Sequence, residues 1–309
     1  MTPLQSLDWQ RPETLRTLVC RPALPKDTPD VMELTRTIWE GEDYVPAVWA
    51  DWLEDYEGVL AVAQYGRRVV GLCKLSRLGA DEWWLQGLRV HPEYEGRGIA
   101  SHLHAYMLGA WQRTGSGVLR LATASFRAPV QHLCDRTGFK KIGEFTPFIA
   151  PGLPAEAAGF ALISESEAEN AYEFVRRETS FQLTGGLMET GWEWVSITKE
   201  RLLEAAQNGR LWWWEQGKAL LAVREDEEEG ALVLSLVSCP PQDLSACLLD
   251  YRRLAGSLGF GRAGWFAPLG TGLEAALGSA GYQREWDASV YLYEKRHPLS
   301  SLVSALAVV

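Results

Sequence analysis

Cysteine is scarce in this chain and follows no pattern. The five thiols (Cys20, Cys73, Cys134, Cys239 and Cys247) are odd in number and scattered, without a Cys-x-x-Cys pair. That excludes a disulfide frame or a zinc knuckle and suits reduced thiols in a cytoplasm. Histidine is equally thin: of five residues, His102 and His104 lie two apart on a helix-like stretch and so point to different faces. No metal site is expected. Positive charge is in deficit, with 30 Lys and Arg against 40 Asp and Glu. Without a basic stripe, no nucleic-acid partner is expected. No uncharged apolar run nears the ~20 residues that span a bilayer, the tail "PLSSLVSALAVV" coming closest. The opening "MTPLQSLDWQRPE" lacks the basic-then-apolar order of a secretory signal. These absences predict a cytoplasmic protein with no membrane partner.

What is present is core. Apolar residues make up 47% of the 309, with 14 tryptophans, and the length suggests two domains. In the first half, "TLVCRPAL" reads as a strand and "DTPDVMELTRTIW" as a helix, with Asp27 or Thr28 as cap and Pro29 in its first turn. "YVPAVWADWLEDY" follows as a second helix. "VLAVAQYGRRVVGLCKLSRL" is a hairpin turning at Tyr65-Gly66. "EWWLQGLRV" and "GVLRLATAS" read as strands on either side of a helix, and "PVQHLCDRTGF" as a short helix closed by Gly138. A strand pair is expected around "KKIGEFTPFIA". The stretch "APGLPAEAAG" has the composition of a linker.

The second half repeats this outline. It shows a helix at "ITKERLLEAAQNG", a hairpin turning at Gln216-Gly217, the strand "GALVLSLVSC", the helix "PQDLSACLLDYRRLAGSLG", the strand "AGWFAP" and a helix ending at Gly281-Tyr282. The acidic run "REDEEEG" falls at a hairpin tip. A long-period duplication accounts for the match. Charge divides unevenly between the copies: residues 1–150 hold 17 basic and 18 acidic side chains, residues 151–309 hold 13 and 22.

One seam carries chemistry. Between the strand "EWWLQGLRV" and the helix "IASHLHAYMLGAWQ", the run "HPEYEGRG" places Gly96 and Gly98 around Arg97. A strand, a glycine turn and a helix start make an anion cradle, because the turn exposes N–H groups and the helix N-terminus adds roughly half a positive charge. Small residues let a pyrophosphate approach several donors at once. The alternative is an ordinary turn with glycines for tightness.

"LRVHPEYEGRGIASHL", with "LRLATAS" and "HLCDRTGF" after it, resembles the GNAT superfamily of acyl-CoA-dependent N-acyltransferases, whose signature Arg/Gln-x-x-Gly-x-Gly/Ala falls on Glu95 to Ala100. The resemblance covers residues 18–148 in element order. It implies an α/β (α+β) fold of two tandem GNAT-like domains, each a mixed, mostly antiparallel sheet flanked by helices, the second degenerate. The expected boundaries are 1–149 for the catalytic domain, 150–159 for a linker, 160–297 for the second domain and 298–309 for a tail. It also implies acetyl-CoA as co-substrate, held by Glu95, Gly96, Arg97, Gly98, Ile99, Ala100 and Ser101. Leu88, Arg89 and Val90 would line its arm beyond a strand bulge at Gly87, and Arg127 would reach a phosphate. Glu95 stands where the family has Arg or Gln. Cys134 stands where many members place a proton-donating tyrosine, and is either that donor or a small buried residue.

For the acceptor, the resemblance points to residues 39–58, where Glu42, Asp43 and Tyr44 suit a cationic amine; Trp49 and Trp52 read as helix core. Asp43-Tyr44-Val45-Pro46 and the "GLRV" of 87–90 are similar to the histidine N-acetyltransferase branch, with Gln86 replacing a common glutamate. Glu82 shares a strand face with Gln86 and is the candidate base; a solvated strand end is the alternative. In the second half, Pro240 and Pro241 replace the glycines and have no N–H to donate, so no CoA phosphate should bind there. The expected activity is transfer of an acetyl group to a small-molecule amine such as an amino acid, without a metal, with a homodimer as a possible assembly. An acyl-CoA sensor and a protein acetyltransferase are the alternatives.

Overall fold

Alternating apolar residues and short glycine turns make the strands, and helical runs between them cover both faces. The computed structural model describes residues 18–36, 38–114, 116–154, 159–177 and 184–298. They fall into two compact units, one running to Leu121 and resuming at Glu294, the other spanning Ala122–Tyr293.

The first unit holds β1 (Leu18–Pro22), α1 (Thr28–Thr35), α2 (Val45–Glu54), β2 (Val59–Tyr65), β3 (Arg68–Gly79), β4 (Glu82–Val90), α3 (Ile99–Gln112) and the start of β5 (Val118–Ala124). Strands run in the order β1-β2-β3-β4-β5, antiparallel up to β4, with β5 parallel to β4. One sheet face is sealed by α1 and α2 through Val31, Leu34, Trp49 and Trp52 against Val62 and Leu72. The Trp49 indole donates to Thr28 Oγ1 at 3.0 Å, and the Val69 N–H donates to Asp30 Oδ2 at 2.8 Å. Asp27 precedes α1 without capping it: its carboxylate takes both nitrogens of Arg21, each at 2.7 Å. Helix α3 packs on the other face, where a Cβ on Gly71 would lie 3.0 Å from Leu103.

The unit is completed from the far end of the chain. The His297 N–H donates to the Gly117 carbonyl at 2.9 Å, and the ring packs edge-on against Trp111. Residues 294–297 therefore sit with the first half, where the sequence suggested the second.

The second unit contains α4 (Ala128–Arg136), β6 (Lys140–Pro151), β7 (Phe160–Leu162), α5 (Ala168–Arg177), β8 (Leu187–Glu189), β9 (Trp194–Ser196), α6 (Lys199–Gln207), β10 (Leu211–Trp214), β11 (Ala219–Asp226), β12 (Ala231–Ser238), α7 (Leu244–Ser257), β13 (Arg262–Pro268), α8 (Glu274–Ser279), β14 (Gln283–Arg284) and the start of β15 (Val290–Arg296). Its sheet runs β15-β6-β13-β12-β11-β10-β7, with β14 beside β6, and β8 and β9 form a separate hairpin. The sequence β10-β11-β12-α7-β13 repeats β2-β3-β4-α3-β5, parallel pair included. The expected strand pair around 140–150 is one twelve-residue strand, β6. The expected linker does not divide the units: β6 runs through Pro151, and the N–H groups of Gly152 and Leu153 bond Gly261 and Arg252. Residues 155–158 and the tail from 299 lie outside the described residues.

His104 on α3 is buried, and burial together with Lys295 lowers its pKa to about 4 from an ordinary 6.5. An unfolded chain takes up that proton near pH 6.5 while the folded one resists until about 4, so folding stability falls as pH drops through that window. Urea unfolding at stepped pH should show this slope, and His104→Gln should flatten it.

Candidate active site

Strand β4 loses its neighbour halfway. It pairs with β5 only at Glu82, Trp83 and Trp84. On its other edge the register with β3 shifts, so that Leu72 faces Arg89 while Lys74 faces Gln86. Two residues of β4, Gly87 and Leu88, thus oppose the single Cys73, which is a β-bulge. The bulge expected at Gly87 is present, and Gly87 has φ +64°. A Cβ there would also stand 2.7 Å from the Trp52 ring. Backbone conformation and ring contact both require glycine.

The strand then leads into the cradle. The His91 imidazole accepts the Glu93 N–H at 3.2 Å within a short turn, Pro92–Tyr94. Gly96 and Gly98 follow with φ of +72° and +81°. Gly98 occupies the N-cap of α3 with no side chain capping it, and the first backbone bond back to it comes from His102. Helix geometry leaves the N–H groups of Ile99, Ala100 and Ser101 without partners inside the helix. Among these residues Glu95, Gly96, Arg97 and Ser101 are exposed. Arg97 curls back onto the turn, its Nη2 donating to the Glu93 carbonyl at 2.9 Å and its guanidinium 5.1 Å from the Tyr94 ring. Leu88 and Val90 are half-buried beyond the bulge.

On the α1/α2 face, one charge expected to meet an amine, Asp43, meets one expected at the cofactor, Arg89. Asp43 is buried and takes Arg89 through two bonds, Nε to Oδ2 at 2.9 Å and Nη2 to Oδ1 at 3.0 Å. Its negative charge is thereby matched by a guanidinium. Arg89 is expected to line the cofactor arm; its side chain instead lies in this pair, 4.5 Å from the Trp39 ring centroid and 5.3 Å from that of Tyr44. Tyr44 meets Trp52 edge-on at 6.0 Å and Trp39 in a stack at 6.3 Å. Trp39 and Glu40 hold φ of +48° and +60°, a conformation that costs a residue with a side chain of order 1–3 kcal/mol. Glu42 is exposed at the rim. The Gln86 amide donates to Ser76 Oγ at 3.0 Å.

Glu82 sits at the paired end of β4. Its Oε1 accepts Arg120 Nη1 at 2.6 Å, and Arg120 Nε reaches Glu294 at 2.9 Å. Gly87 lies five residue steps further along the strand, about 16 Å at ~3.3 Å per residue. In the second unit, Cys134 is fully buried on α4, and burial together with Asp135 pushes its thiol up to about 12. Arg127 stands at the N-cap of the same helix, half-buried.

Lys74, which the sequence reading passed over, is buried and paired with Asp55. Burial pushes the Asp55 carboxyl up, but the Lys74 ammonium and the N–H groups of Gly58 and Glu57 outweigh it and hold it below the usual range. The one signal was a lysine inside the apolar run "VVGLCKLS". Among the described residues, no cluster of three or more His, Cys, Asp or Glu side chains is placed to hold a metal, and no helix is long and apolar enough to cross a membrane.

The second unit keeps the geometry and loses the donors. Strand β12 pairs with β13 only from Ala231 to Leu234, and its register with β11 shifts around Ser235. Pro240 and Pro241 then precede α7, with Asp243 at the N-cap. Neither proline can donate, and a carboxylate there repels phosphate.

The profile of the Acetyltransferase (GNAT) family matches residues 28–139. Histidine N-acetyltransferases of Xenopus tropicalis and Oreochromis niloticus are similar to this chain, at 28% identity over 28% of it and 31% over 26%. The chain spans about a quarter of the length of these curated relatives, 27% and 24%. Among solved structures, a GCN5-related N-acetyltransferase from Sphaerobacter thermophilus aligns over 93% of this chain and 96% of its own, with TM-score 0.62 and 14% identity. A tandem GNAT protein from the clavulanic acid biosynthesis pathway aligns over 90% of this chain and 98% of its own, with TM-score 0.56 and 13% identity. At such identities the likeness speaks for the fold alone.

The contact of Gly87 with Trp52 gives a direct test. Gly87→Ala should lower the midpoint of urea unfolding, and adding Trp52→Leu should not restore it, because the positive φ remains.

Proposed function

We propose that this protein, whose residues 28–139 match the profile of the Acetyltransferase (GNAT) family, moves an acetyl group from acetyl-CoA to the primary amine of a small molecule by direct transfer. The observation that carries this reading is the open edge of β4 past Trp84, running from the Gly87 bulge into the uncapped N-terminus of α3. An extended pantetheine arm adds to an open strand edge through main-chain hydrogen bonds. Its diphosphate meets the amides from Gly96 to Ser101, where the helix dipole favours negative charge. The thioester then lies at the bulge, whose backbone N–H polarises the carbonyl as charge develops on its oxygen.

The amine approaches from the face walled by Trp39, Tyr44 and Trp52. A free amine attacks the carbonyl carbon, the C–S bond breaks, and the thiolate leaves. Positioning two reactants supplies much of such a rate. Glu82 is spent on Arg120 at the closed end of the strand, so the ammonium loses its proton to water. Cys134, with its thiol pushed up to about 12, is a poor donor to the departing thiolate, which takes its proton from solvent. An amino acid is the acceptor class favoured by the likeness to histidine N-acetyltransferases and by the aromatic wall, which suits a planar ring.

Calorimetry should show acetyl-CoA binding, and Gly98→Leu should weaken it more than tenfold, since Gly98 holds φ +81° at the helix start. Thiol release with a panel of amino acids should identify the acceptor; binding without thiol release would make the protein a sensor instead. Cys134→Ala should keep kcat within threefold, and a larger loss would restore the thiol as the proton donor.

A further inference from the structure

The sequence assigns Asp43 to the amine and Arg89 to the cofactor arm, yet the two are joined in a buried fork, with Arg89 8% exposed and Asp43 1%. The third contact of the guanidinium shows what the fork holds. Arg89 Nη1 donates to the Leu88 carbonyl at 3.2 Å, and Leu88 is the second residue of the bulge. The first residue is packed from the same face by the Trp52 ring, 2.7 Å from where a Gly87 Cβ would stand. We propose that Asp43 and Arg89 are positioning residues that hold the Gly87–Leu88 bulge in the one orientation that polarises the thioester.

The argument is mechanical. A peptide unit is planar, so fixing the Leu88 oxygen fixes the plane it belongs to and the ψ of Leu88. A bulge lacks the regular ladder that fixes its neighbours, and here that ladder is missing on the β5 side as well. The bulge therefore needs another anchor. A guanidinium pinned by two bonds to a buried carboxylate is a rigid one. Trp39 covers it at 4.5 Å and limits its access to water. Arg89 has the donors to serve both the carboxylate and the carbonyl; a lysine ammonium lacks the planar fork.

This inference rests on the acetyltransferase reading, and the test separates the two. The probe is acetyl-CoA labelled with carbon-13 at the acetyl carbonyl, followed by NMR, alongside kcat and both KM values. In the natural protein the bound carbonyl signal should move away from that of free acetyl-CoA. Arg89→Lys should return it towards the free position and lower kcat ten- to a hundredfold, with KM for acetyl-CoA and for the amine within threefold. Because losing one partner of a buried pair destabilises a fold, the double variant Asp43→Leu/Arg89→Met serves as control. Apolar replacement of both partners is tolerated far better than loss of one, so its melting point should stay near that of the natural protein while kcat stays low. An unshifted carbonyl in the natural protein would overturn the acetyltransferase reading and this inference with it. A shifted carbonyl that Arg89→Lys leaves in place overturns the positioning role alone. So does a rise confined to KM for the amine, which would return Asp43 to the acceptor, or to KM for acetyl-CoA, which would return Arg89 to the cofactor.

Discussion

Strand β4 cannot keep two neighbours along its whole length, and the site follows from that constraint. Its first three residues are locked between β3 and β5, and the ladder with β5 ends at Trp84. Unpaired peptide groups are costly unless water or a partner satisfies them. An extended ligand arm that completes the ladder is therefore favoured by the same hydrogen bonding that builds the sheet. The bulge, the glycine turn and the helix start come one after another in the chain, so a single continuous segment, residues 82–101, presents strand edge, bulge amides and a helix N-terminus in that order. The rest of the first unit keeps this segment in shape: α3 supports it from one face, α1 and α2 from the other.

Charge is used here mainly for bracing. Asp43 holds Arg89, Asp55 holds Lys74, and Glu82 and Glu294 hold Arg120 between them. Each is a carboxylate matched to a cation at a place where a strand edge or loop would otherwise be loosely fixed. Buried pairs of this kind add little net stability over apolar packing, but they restrict geometry. A reaction that depends on placement more than on acid–base groups suits such a framework.

Much of the fold was legible because its signals are local. Gly66 and Gly217 mark hairpins, the periodicity from Ile99 to Trp111 marks the helix, and Gly87, Gly96 and Gly98 mark backbone that residues with side chains rarely adopt. What stayed hidden was long-range. Asp43 and Arg89 are 46 residues apart, and Arg120 reaches Glu294 across 174; nothing in either neighbourhood announces the other. Read singly, Glu82 and Asp43 looked available for chemistry, because sequence shows a charge and not its partner. The left-handed turn at Trp39 and Glu40 escaped notice for a different reason: Gly41 marks only its last position, and the two residues before it carry side chains that disfavour the conformation.

The return of residues 294–297 to the first unit bears on how the chain comes into being and how it can evolve. While the ribosome is still making the second half, the first lacks the carboxylate of Glu294 beside Arg120 and the ring of His297 beside Trp111. The contacts of Glu294 and His297 with the first unit cannot form until those residues have been made. The same threading ties the two copies in inheritance: a deletion that discards the later copy also strips the earlier one of its closing segment.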